Sequence, residues 1–196
     1  MNINDVTESI NVPRTSKEIW VEIFKKQTEL ALKYKDIEKM GDLLDTTDNN
    51  INTAKGQKWI KDFAWRVTEE LAEAYEARFV DEVHYKEELI DALHFLVELT
   101  IIAGHRNYKP TQFTDKYIPE AWDIVYQLGL MCNTLKNKPW KQTQMLTDKE
   151  LFTKHLDFAW SYMYTLLLKE LGRDEEIYLY YFKKNKVNQF RQRSKY

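Results

Sequence analysis

Cysteine is almost absent from this chain of 196 residues: Cys132 is the only one. No intrachain disulfide can form, which excludes a disulfide-stapled scaffold and suits a reducing cytoplasm. Glycine (5) and proline (4) are scarce, too few for a turn-rich β fold. Neither sign of charge is in excess. The 29 Lys and Arg against 31 Asp and Glu leave a formal charge of −2, with no global pull toward nucleic acid or a membrane surface. No apolar run reaches membrane length. The longest, over residues 93–103, is interrupted by His94, Glu98 and Thr100, so it is too short and too polar to span a bilayer. The N-terminus, Met1-Asn2-Ile3-Asn4-Asp5, is polar and acidic rather than signal-like.

What is present favours helices. Leu, Glu, Lys and Ala are abundant and aromatic residues make up 14% of the chain, enough for one good core. Ser16 reads as an N-cap, followed by Ile19, Trp20, Ile23, Phe24, Gln27, Leu30 and Ala31 at helical spacing. Residues 41–57, with Gly41, Asp48-Asn49-Asn50 and Gly56, read as a loop or short helix. Further helices are predicted over about 57–79, from about 85 to 103 with Gly104 as a stop, and over 120–136, 148–171 and 174–193. Trp122 is expected in the apolar set of its helix, and Trp59 and Trp65 as packing residues. The polar stretches 105–119 and 137–147 read as loops. The expectation is an all-α, multi-helix bundle forming a single domain over 1–196, with 105–150 a candidate mobile cap.

Two acidic clusters lie close together: Glu69-Glu70-Leu71-Ala72-Glu73 and Glu87-Glu88-Leu89-Ile90-Asp91. Each supplies an i, i+3 pair, Glu70/Glu73 and Glu88/Asp91, on one face of a helix. If the two helices pack antiparallel, four carboxylates converge. Like charges crowded together and stripped of water are costly, and a hard cation such as Mg²⁺, with its oxygen ligands and its affinity for phosphates, resolves that cost. The competing reading is a solvated Glu-rich face, against which stand the core-like residues interleaved with the acids. Near the C-terminus, Lys184, Asn188 and Arg191 fall at i, i+4 and i+7. That stripe reads either as a polyphosphate cradle or as a solvated basic tail.

Three stretches in order carry a resemblance: Glu69-Glu70-Leu71-Ala72-Glu73, Glu88-Leu89-Ile90-Asp91-Ala92-Leu93-His94-Phe95, and Lys184-Asn185-Lys186-Val187-Asn188-Gln189-Phe190-Arg191-Gln192. With them the chain resembles the all-α NTP pyrophosphohydrolase (MazG-like) superfamily. Within it, the chain is most similar to the dimeric dUTPases and the related phage dCTPase/dUTPase enzymes. The resemblance implies a Mg²⁺-dependent hydrolase that converts dUTP to dUMP and pyrophosphate, working as a cytoplasmic homodimer with no membrane or specific nucleic-acid partner. It implies Glu70, Glu73, Glu88 and Asp91 as Mg²⁺ ligands, with Glu70 or Glu73 also handling the attacking water. It implies His94 and Phe95 at the base, Lys184 and Arg191 at the phosphates, Asn188 as a polar nucleotide contact, and Gln27 on the first helix as a base contact. Two other readings stay open. One is a related enzyme acting on dCTP, a modified pyrimidine or a purine dNTP. The other is a non-enzymatic helical module that binds nucleic acid or a partner, which would show no Mg²⁺ dependence.

Overall fold

The computed structural model describes residues 3–7, 9–45, 49–114, 116–136 and 145–193. Among the described residues it contains six α-helices and no strand: α1 (Ser16–Tyr34), α2 (Ala54–Ala77), α3 (Glu82–Ile102), α4 (Ala121–Thr134), α5 (Lys149–Leu171) and α6 (Asp174–Arg193). The all-α expectation holds, and each predicted helix is found within a few residues of its predicted ends. Parts of the predicted loops at 41–57 and 137–147, and of the candidate cap, lie outside the described residues.

Local chemistry explains the helix ends. Thr15, not Ser16, caps α1: its hydroxyl accepts from the Glu18 backbone at 3.3 Å while the Glu18 carboxylate accepts from the Thr15 N–H at 3.1 Å. The reciprocal pair satisfies two otherwise orphaned donors, which a cap at Ser16 would not. Asp81 caps α3 by accepting from Val83 and His84. Gly172 ends α5 at φ +106, a conformation that favours glycine.

Gly56 departs from the sequence reading. The loop or short helix expected over 41–57 includes a 3-10 turn at Asn50–Asn52, but Gly56 lies beyond it, inside the first turn of the long helix α2. A Cβ there would lie 2.2 Å from the Asn50 carbonyl oxygen. The close approach is held by Asn50, whose side-chain amide donates to the carbonyls of Leu43 and Ile102 at 2.8 and 2.9 Å. Glycine is kept here for space, at the usual cost of a helical glycine.

The short connection 78–81 folds α2 and α3 into an antiparallel hairpin, the most extensive helix pair in the structure. Helix α3 is buried on nearly all sides, as a helix apolar around its circumference must be. Helices α1 and α6 pack on each other and on α3, and α4 packs on α5 and α2. Buried residues of all six helices join one apolar cluster. Trp160 anchors it, donating to Thr100 Oγ1 at 2.8 Å and meeting Trp20 edge-on at 5.8 Å. Two predicted packing tryptophans are instead exposed: Trp65 (62%), which donates to Glu69 at 2.7 Å, and Trp122 (72%). Helical periodicity identifies an apolar stripe, but it does not say whether a neighbour covers each member of it.

Candidate functional site

The α2–α3 hairpin carries both acidic pairs to one place. Carboxylate oxygens of Glu70, Glu73 and Glu88 lie within 4.8 Å of one another. Glu88 is buried, Glu70 half-buried and Glu73 exposed. The His84 ring nitrogen stands 3.0 Å from Glu88, one turn away on the same helix. Burial first, then the neighbouring Glu88, Asp91 and Glu73, push Glu70 up to about 8. The fourth predicted acid, Asp91, is close enough to raise Glu70 but lies outside the three-glutamate group. Its carboxylate meets the buried Lys184 ammonium at 2.5 Å. Burial still lifts Asp91 to about 6, against the pull of Lys184 and Arg191.

Beside Asp91 opens a cavity of about 220 Å³. That is below the roughly 300–1,000 Å³ usual for drug-sized ligands and suits a single ring better than a whole nucleotide. Four of the predicted substrate residues line it: Gln27, His94, Phe95 and Asn188. Lys184 touches its rim through Asp91. Arg191 is exposed at the far end of the α6 stripe and acts electrostatically on both Tyr34 and Asp91.

Gln27 stands at the centre of the cavity wall. Its amide oxygen accepts from Tyr181 Oη at 2.7 Å and from His94 Nδ1 at 2.8 Å, and its amide nitrogen donates to Glu98 Oε2 at 2.7 Å. An amide oxygen cannot donate, so His94 carries its proton on Nδ1. Complete burial and the nearby Lys184 charge push His94 down to about 3, keeping the ring neutral. The ring stacks on Tyr181 with centroids 3.9 Å apart, and its Nε2, fully buried, makes no hydrogen bond. Arg66, also on the cavity lining, pairs with Glu38 at 2.9 Å and lies over the rings of Phe63 (4.6 Å) and Phe95 (5.6 Å), a cation–π contact with each.

Sequence reasoning missed Glu98, Tyr181, Tyr34, Glu38 and Arg66. Two of them left a signal. Glu98 lies seven residues after Asp91 and four after His94, one acid in an otherwise apolar run. Tyr181 lies three residues before Lys184 and continues its stripe backwards. Both follow from helical spacing.

The raised carboxyl groups make a prediction for the metal-free protein. Glu70 and Glu98 both stand at about 8, Glu98 through burial above all. Between about pH 7 and pH 8.5 the folded chain therefore holds protons that the unfolded chain has already lost, so stability falls as pH rises. His94, depressed to about 3, changes stability only at lower pH. Thermal melts in chelator should drop across that window, and added Mg²⁺ should flatten the part due to Glu70. A melting temperature that rises from pH 7 to 8.5 would contradict these protonation states.

Chemically, the arrangement offers hard oxygen donors for a cation, two cationic side chains on α6, and a ring-sized cavity with oriented polar groups between them. A protein-family model described as dUTPase matches residues 19–196. No curated protein and no solved structure matches the chain.

Proposed function

The chain belongs to the all-α dUTPase family, and from that footing we propose that it hydrolyses dUTP to dUMP and pyrophosphate with Mg²⁺. Membership makes it a nucleoside-triphosphate diphosphatase, which sets aside the non-enzymatic module. The observation that carries the reading is the adjacency of the three-glutamate cluster and the ring-sized cavity, joined at Asp91.

Mg²⁺ fits the donor set. Glu70, Glu73 and Glu88 present only hard oxygens, and Glu70 is raised by burial first and then by the neighbouring carboxylates, both costs that a bound cation would relieve. These three would hold the ion, with Asp91 as the remaining ligand. When bound, the ion offsets the triphosphate charge and acidifies water. The chain's own residues supply the rest. Glu73, the most exposed of the set, takes the proton from the attacking water in this reading. The water oxygen bonds to phosphorus, a bridging P–O bond breaks, and pyrophosphate departs with the bonding pair. Lys184 and Arg191 offset the charge that grows on the phosphate oxygens. His94, Phe95 and Gln27 hold the base, and Asn188 contacts the nucleotide.

Pyrophosphate release from a panel of dNTPs at equal concentration, with and without Mg²⁺, tests the reading. Mg²⁺-dependent release with dUTP strongly preferred is expected. Preference for dCTP, or for several dNTPs, would move the chain to a sister activity at the same site, and no release would overturn the reading.

The reading also includes a cytoplasmic homodimer. No helix among the described residues is long and apolar enough to cross a membrane. Exposed Tyr75 and Trp122 line one pocket, with exposed Phe79 against Tyr75 at 5.9 Å, an apolar patch of the kind a second copy covers. Sedimentation should give twice the chain mass of 23.6 kDa. A monomer at working concentration would refute the dimer.

A further inference from the structure

Glu98 lies four residues beyond His94 on α3 and lines the same cavity, almost wholly buried. The acidic cluster and the phosphate stripe do not use it. We propose that Glu98 reads position 4 of the pyrimidine, through the carboxyl oxygen that Gln27 does not engage, and so decides between a 4-oxo and a 4-amino base. The inference rests on the nucleotide reading above.

The hydrogen-bond accounting carries it. The Gln27 amide oxygen is saturated by Tyr181 and His94, and its nitrogen spends one hydrogen on Glu98 Oε2. With His94 carrying its proton on Nδ1, this orientation of the amide gives all three groups a partner. Two capacities are left at this end of the cavity: the second hydrogen of the Gln27 amide and the Glu98 Oε1 atom. The first is always a donor. The second donates when Glu98 is a neutral acid and only accepts when it is ionised.

The surroundings favour the acid. Burial is the dominant cause, and the negative charge of Glu38 adds to it. The Gln27 hydrogen bond and the Arg66 cation oppose it. Tyr34 and Tyr181 are raised, in part by Glu98 itself, and His94 is neutral. As the acid, Glu98 and Gln27 together present two donors. A 4-oxo group, with two lone pairs, can accept both. A 4-amino group cannot, and would leave buried donors without partners, the situation that gives polar pockets their strong discrimination.

The test is the ratio of kcat/KM for dUTP to that for dCTP, measured with saturating Mg²⁺ across about pH 6.5–9. The two substrates share the triphosphate and the metal cluster, so effects there cancel in the ratio. The wild-type ratio should exceed one and fall as pH passes about 8. Glu98→Leu should lower it by about tenfold or more. Glu98→Gln, nearly isosteric and still a donor, should keep the preference for dUTP and lose its pH dependence. Equal losses on both substrates in Glu98→Leu and Glu98→Gln would mean that Glu98 only positions Gln27, and would overturn the proposal. So would a wild-type ratio that favours dCTP or stays flat with pH. Turnover with an unmoved ratio removes the role of Glu98 alone, whereas no turnover of either substrate by the wild type removes the dUTPase reading as well.

Discussion

Glu73→Ala is expected to lower kcat/KM for dUTP by about 10²–10⁴-fold, the range of a lost general base, without lowering the melting temperature. Glu73 is exposed, so its removal opens no cavity in the core. Its charge also contributes to the repulsion that raises Glu70, and taking one like charge from the cluster relaxes the metal-free protein. The two effects have opposite signs, which separates a chemical role from a structural one. Pyrophosphate release and a thermal melt on the same preparation read both. Full activity in Glu73→Ala would sink the cluster as the catalytic centre.

Asp91→Ala should behave differently, losing both activity and about 3–5 kcal/mol of stability. The cause is its partner. Lys184 is buried and holds Asp91 at 2.5 Å, so deleting the carboxylate strands an ammonium away from water. For a chain of this length that is a fall of roughly 6–20 °C in melting temperature. The pair need not be a net source of stability. Asp91 is pushed up to about 6 in spite of Lys184, so desolvation outweighs the attraction. A double variant, Asp91→Leu with Lys184→Met, should therefore recover most of the lost stability and none of the activity. An Asp91→Ala protein as stable as wild type would show that Lys184 finds water or another acid in solution. A double variant that turned over dUTP would remove both residues from the site.

Much of the architecture was legible along the chain because it rests on local physics. Helix existence follows from apolar residues at i, i+3, i+4 and i+7, and helix ends from glycines and capping side chains. The two ExxE/D pairs and the α6 stripe were legible for the same reason: spacing on a helix places side chains on a face whatever surrounds it. The misreadings at Gly56, Trp65 and Trp122 are of another kind. Gly56 answers to Asn50 passing within reach of its missing Cβ, and the tryptophans to the absence of a covering neighbour. No window of sequence contains that information.

The interior of the candidate site belongs to the same class. Gln27 meets Glu98, His94 and Tyr181 across separations of 71, 67 and 154 residues. Three buried groups depend on this one amide. Sequence by itself determined which faces are acidic, basic or apolar, since that needs only the helical period. Tertiary structure decided which of those groups lose water and which partner each then requires. Only packing sets the dielectric around a carboxyl group, and only a buried polar group is compelled to find a bond. That is why Asp91 lies on Lys184, why His94 is neutral, and why Glu98, one acid in an apolar run, faces the cavity.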